Sequence, residues 1–269
     1  MAQHYRALFI SDVHLGTRWA QACKLLDFLA QARADTIYLV GDIIDFWRIR
    51  RGIIWPESHG AVLREILRIA NAGTRVVFIP GNHDDGLRAY CGTRFGNIEI
   101  ERDAVHVTAA GQRYLVTHGD EYDVVVNHAR WLALVGDRSY AVALAINIPF
   151  NWVRGKLGFD YWSLSAYLKH RVKACVGRAG NFESSLVAAA ARHAASGVIC
   201  GHIHRAASRQ VGDVHYVNLG DWVESCTAVA ETKSGQLELI DWSAASSAAA
   251  AKVAVVATSE PPKRMGAVA

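Results

Sequence analysis

Six short apolar runs in this chain each lead into residues of metal-ligand type, and no other feature constrains the fold as much. Residues 7–10 lead into Asp12 and His14, residues 37–40 into Gly41 and Asp42, and residues 76–79 into Gly81-Asn82-His83-Asp84. Residues 114–117 lead into His118-Gly119-Asp120, residues 198–200 into Gly201-His202-Ile203-His204, and residues 215–219 into Gly220-Asp221-Trp222. An apolar run rich in β-branched and aromatic residues and closed by glycine reads as a buried strand and its exit turn. In open α/β sheets, ligands bind in the crevice beyond the carboxyl ends of the strands. The pattern therefore predicts a cluster of oxygen and nitrogen ligands at one edge of a sheet.

Between the first runs lie helical patterns, over 19–32 and over 57–72, the second closed by Gly73. Strands separated by such helices suggest βαβ units and an α/β class. From 121 to 193 helical spacing dominates, with Trp131, Leu132, Val135, Tyr140, Leu144 and Ile148 recurring, which predicts a helical insertion. Strands are expected again at 198–200, 215–219, 227–231 and 237–242, the last ones as an antiparallel meander. Residues 243–269 are rich in Ala and Ser with Pro261-Pro262 beyond, and read as a disordered tail. The expected organisation is a main domain over 1–242, with 121–193 inserted, and a tail over 243–269.

Composition narrows the function classes. At 269 residues and 51% hydrophobic, the chain is long enough for one sizeable core. A net charge of +4 without a block of like charges favours anionic partners but not nucleic acid. The five cysteines are scattered without C-x-x-C spacing, which fits free thiols, read here as small buried hydrophobes, in a reducing compartment. The start lacks a secretory pattern and residues 140–150 are too short to span a bilayer, so the expectation is a cytoplasmic protein.

The chemistry lies in the strand exits. Asp12 and His14 are two apart, as are His202 and His204, so on a strand each pair would share a face and bind one cation. The carboxylate of Asp42, in G-D-x-x-D, can bridge two metals. In Gly81-Asn82-His83-Asp84, Asn82 offers a neutral oxygen, His83 can donate a proton, and Asp84 can orient the His83 ring. Asp, Asn and His without Cys suit divalent manganese, iron, zinc or cobalt. The set divides into Asp12, His14, Asp42 and His204 for one ion, and Asp42, Asn82, His118 and His202 for the other. Two such ions can clamp an in-line phosphoryl displacement.

In this order, D-x-H, G-D-x-x-D, G-N-H-D, H-G-D and G-H-x-H resemble the calcineurin-like metallophosphoesterases, over roughly residues 8–242. The resemblance implies a four-layer αββα sandwich with a dinuclear site, Mn2+ being the first choice of metal. It implies attack on phosphorus by a hydroxide between the ions, with His83 stabilising the transition state or protonating the leaving oxygen. Within the family, F-I-S-D-V-H-L-G, G-D-I-I-D-F-W and the long insertion are most similar to the UDP-2,3-diacylglucosamine diphosphatase group of lipid A synthesis. That group typically carries Arg at the position of His83 and L-G-x-W-H at residues 219–223, so the chain belongs with it or with a sister group.

The expected reaction is hydrolysis of a diphosphate in a nucleotide-linked glycolipid, giving 2,3-diacylglucosamine 1-phosphate and UMP. Arg48, Arg51, Lys169 and Lys173 are candidate phosphate contacts, since such cations clamp phosphate. The apolar insertion and mild basic charge add an expected peripheral contact with the inner membrane. The alternatives are a general nucleotide phosphodiesterase or nuclease, and a scaffold without catalysis.

Overall fold

The structure is a computed structural model that describes residues 3–123, 180–243 and 252–255. Its centre is three parallel strands, β1 (Gln3–Ile10), β2 (Ala32–Val40) and β3 (Arg75–Ile79). To these are joined β4 (Thr93–Phe95) and β5 (Ile98–Ile100) on one side. On the other lie β11 (Thr227–Glu231), β12 (Leu237–Asp241) and β13 (Lys252–Val255), which complete the order β13-β12-β11-β1-β2-β3-β5-β4. A second sheet has the order β6-β7-β8-β10-β9, from β6 (Ala104–Val107), β7 (Arg113–Val116), β8 (Gly197–Cys200), β9 (Ala207–Val211) and β10 (Val214–Asn218).

Alternation along the strands builds the layers. Ala7, Phe9, Tyr38, Val40, Val77 and Ile79 of the first sheet pack with Tyr114, Val116, Ile199 and Val217 of the second. Leu8, Ile10, Ile37, Leu39, Val76 and Phe78 point to the other face and pack against helices α1 (Ala22–Gln31) and α3 (Glu57–Asn71). Both helices are amphipathic. Leu25, Phe28 and Leu29 of α1 and Val62, Ile66 and Ile69 of α3 are buried at helical spacing. Leu115 and Val198 alternate to the far face of the second sheet and are buried, as are Ala189 and Ala190 of α4 (Gly180–Arg192). This is the αββα sandwich expected from the sequence. Asp45 caps the short α2 (Phe46–Ile49), accepting from Arg48 N at 2.7 Å.

Several expectations need correction. The first helix begins at Ala22, not at residue 19. The run at 215–219 does not extend the first sheet's meander; β10 lies in the second sheet, parallel to β8, and only β11, β12 and β13 form the meander. β4, β5, β6 and β9 were not anticipated, because they are short or exposed and carry no continuous apolar run. Lys252–Val255, within the stretch read as disordered, forms β13 against β12. Cys23, read as a buried hydrophobe, is exposed, whereas Cys200 and Cys226 are buried; these and Cys91 are free thiols.

The chain divides into two compact units, Met1–Gly119 with Val187–Ala269, and Asp120–Leu186. Most of the insertion expected over 121–193, with Lys169 and Lys173, lies outside the described residues. No helix among the described residues is long and apolar enough to cross a membrane.

Candidate metal centre

β1, β2 and β3 run parallel, as do β7, β8 and β10, so six strand exits meet at one end of the two sheets. Backbone bonds tie the exits together. Asp12 N donates to Gly41 O at 3.1 Å, His14 N to Asp42 O at 2.9 Å, Gly201 N to His118 O at 3.1 Å and Trp222 N to Asp12 O at 3.0 Å. The Asp84 carboxylate accepts from the backbone N–H of Gly81, Ile43, Asp42 and Ile44, which locks the β3 exit onto the β2 exit. Burial, together with the charge on Asp42, raises the Asp84 carboxyl to about 6.

Asp12, His14, Asp42, His202 and His204 all have positive φ, between 51° and 73°. The side chains therefore converge from tight loops beyond the strands, and the strand-face argument for the pairs Asp12/His14 and His202/His204 does not hold. Non-glycine residues in this conformation are strained by about 1–3 kcal/mol each and persist where surrounding structure imposes them, typically at functional sites. Glycine is required where backbone meets the cluster. A Cβ on Gly81 would strike Asp42 Oδ1 and His118 Nε2, and one on Gly201 would strike Asp12 Oδ2 and Ser11 Oγ.

The residues form three contiguous groups among those described: Asp12, His14 and His204; Asp12, Asp42 and His118; and His14, Asp45 and His83. His14 Nε2 faces His204 Nε2 at 3.2 Å, and His204 Nε2 lies 3.2 Å from Asp12 Oδ1. His118 Nε2 is 3.4 Å from Asp42 Oδ2, and His14 Nε2 is 3.9 Å from the same oxygen. Asp42 thus sits between the two histidine sets. His202 enters none of these groups; its ring stands edge-on to His118, 5.3 Å between centroids.

This donor set fits divalent cations. Asn82 Oδ1 is buried and has no hydrogen-bond partner among the described residues, although a buried polar atom normally has one. His14 Nδ1 faces Asp45 Oδ2 at 3.2 Å and His118 Nδ1 faces Val40 O at 3.0 Å. With Nδ1 so engaged, each ring can turn the lone pair of Nε2 toward an ion. Burial alone would raise the Asp42 carboxyl, but His118, His83 and His14 hold it well below the usual carboxylate range. Burial alone would lower His204, but Asp12 and Asp221 push it up to about 10. The carboxylates that favour a proton here would equally favour a metal cation, which would displace that proton from the imidazole.

His83 lies at the border of the cluster. Its ring packs against Trp47 at 4.3 Å and edge-on to His14 at 4.7 Å. Asp45 Oδ2, not Asp84, lies against its Nδ1, at 3.0 Å; both Asp84 oxygens are engaged by backbone N–H groups instead. Burial opposes charge on His83, but Asp45 and Asp42 outweigh it and raise its pKa, which suits a proton donor. Sequence reasoning gave Asp45 no role. Its signal was the second Asp of G-D-x-x-D, but only the fold shows that it faces two histidines. Beside His83 opens a cleft of about 410 Å³ lined by Asp45, Trp47, Arg48, Arg50, Arg51 and His83.

The family model described as calcineurin-like phosphoesterase matches residues 5–206. The chain belongs to the calcineurin-like phosphoesterase family. Membership makes it a phosphoester hydrolase and implies divalent metals, for which the strand-exit cluster supplies the candidate ligands. This phosphoesterase is similar to proteins named UDP-2,3-diacylglucosamine hydrolase. The Nitrosococcus oceani protein is 27% identical over 84% of this chain and 91% of its own length. The Neisseria meningitidis serogroup B protein is 27% identical over 80% and 89%. Among solved structures, Yfce, a phosphoesterase from E. coli, aligns with a TM-score of 0.49 and 13% identity over 93% of this chain and 99% of that one.

Proposed function

We propose that this phosphoesterase hydrolyses the diphosphate of UDP-2,3-diacylglucosamine, with water, to UMP and 2,3-diacylglucosamine 1-phosphate. The reading rests on the similarity to hydrolases of that name along most of both chains. Asp12, His14, Asp42, Asn82, His118, His202 and His204 are the metal ligands of this proposal. When bound, two divalent cations, Mn2+ first among them, would supply hydroxide near neutral pH and neutralise the phosphoryl oxygens.

The chain's own residues do the rest. Arg48 and Arg51 hold phosphate oxygens at the mouth of the cleft, the role for which guanidinium geometry is suited. Asp45 keeps Nδ1 of His83 protonated and turns Nε2 inward, where it is 4.0 Å from Asp42 Oδ2. His83 then passes a proton to the leaving oxygen, and Trp47 limits the ring's movement and the entry of water.

The second reading, a general nucleotide phosphodiesterase, is favoured by His83 at a position where the lipid A group typically has Arg. UDP-2,3-diacylglucosamine, bis(p-nitrophenyl) phosphate and single-stranded DNA, each assayed with Mn2+, separate the two. The expected result is release of UMP with kcat/KM about 100-fold above the other substrates. Diester hydrolysis without UMP release would favour the phosphodiesterase.

A further inference from the structure

Three histidines of the proposed ligand set, His14, His118 and His204, do not share one kind of Nδ1 support. His118 uses a strand carbonyl and His14 uses Asp45, both from the β2 exit motif. His204 uses a residue of the sixth strand exit, which supplies no ligand in the proposed set: its Nδ1 lies 3.6 Å from Asp221 Oδ2, on the turn after β10. That contact is longer than a hydrogen bond, but the carboxylate that makes it is rigidly held. Asp221 is only 2% exposed. Its Oδ1 accepts from three successive backbone N–H groups, Val223 at 2.9 Å, Glu224 at 2.6 Å and Ser225 at 3.0 Å. The same turn is fastened to the first strand exit by Trp222 N to Asp12 O and by Ser11 Oγ to Gly220 O at 3.3 Å. Oδ1 therefore serves the turn, and Oδ2 is left pointing at one imidazole.

His204 needs such support more than its neighbours. Its side chain is 38% exposed, against 8% for His14 and 1% for His118, so packing, which includes stacking on His14 at 5.1 Å between centroids, encloses its ring less than theirs. We infer that Asp221 is a positioning residue for the metal centre: it holds the proton of His204 on Nδ1 and aims Nε2 at the ion shared with Asp12 and His14. This rests on the metal reading above. A carboxylate behind a ligating histidine fixes tautomer and orientation, and its loss weakens metal affinity by about 10- to 100-fold.

Asp221→Asn separates this role from the turn. The amide oxygen can still accept the three backbone N–H groups, but the NH2 in place of Oδ2 is a donor. It forces Nδ1 of His204 to accept and shifts the ring proton to Nε2. Chelator-treated wild type, D221N, His204→Ala and the double variant are titrated with Mn2+ by calorimetry, and the metal-free Tm of each is recorded. The expected result is a weaker-site Kd raised about 10- to 100-fold in D221N. The metal-free Tm should stay within about 2 °C. In the His204→Ala background, D221N should add less than about a twofold change. Unchanged Mn2+ affinity in D221N, or an equal further loss without His204, would overturn the inference. Wild-type protein that takes up no Mn2+ would overturn the metal reading itself, and this inference with it.

Discussion

The two sides of the cluster differ in how they are closed. The side built on Asp42, Asn82 and His118 is sealed: each of these residues is buried, and Gly41 and Gly81 leave room only for the His118 ring and the Asp42 carboxylate. The side built on Asp12, His14 and His204 opens at His204, which is partly exposed, stacks on the His14 ring and is backed by the turn that carries Asp221. A sealed ligand set is preorganised by the core and resists exchange. An open one leaves room for a substrate phosphate to reach an ion. On the proposed ligand assignment, the sealed side would hold a tight ion and the open side an exchangeable one that faces substrate.

Asp42 joins the sides, so its loss should erase the difference. Asp42→Ala is expected to remove both ions and lower turnover about 1,000-fold or more, read by metal analysis and diester hydrolysis. Retained metals with full turnover would remove Asp42 from the centre. Separate truncations should sharpen the contrast. His204→Ala is expected to leave about one Mn2+ per chain and to cost about 100-fold in turnover, partly restored at high Mn2+. His118→Ala should leave less than one, because His118 is the fully buried imidazole of the sealed set, whereas His202, proposed for the same ion, is only half-buried. Equal metal content in the two variants would break the comparison. The smallest effect belongs to the cleft outside both sides. Arg48→Ala with Arg51→Ala should raise KM about tenfold and leave kcat within about twofold, as expected if these cleft-lining cations bind phosphate apart from the metal ligands.

The sealed side was the more legible in the sequence. Asp42, Asn82 and His118 follow continuous apolar runs, and burial of those strands carries these side chains to one edge. The open side was legible by residue type but not by geometry. Asp12, His14, His202 and His204 take left-handed backbone conformations beyond their strands, so period-two reasoning does not describe how their side chains are presented. Asp45 and Asp221 were visible as carboxylates, yet their partners lie 31 to 38 residues away for Asp45 and on another strand exit for Asp221, and nothing local announces that pairing. β4, β5, β6 and β9 escaped notice for a related reason: strands at or near a sheet edge, short and half-solvated, need no unbroken apolar run.

The most direct test is a titration of chelator-treated protein with Mn2+ that follows bound metal and hydrolysis of bis(p-nitrophenyl) phosphate in the same samples. The account predicts two ions per chain bound in sequence, with turnover appearing only as the second, weaker one fills. Turnover that survives complete chelation, or reaches its maximum with the first ion, would contradict it.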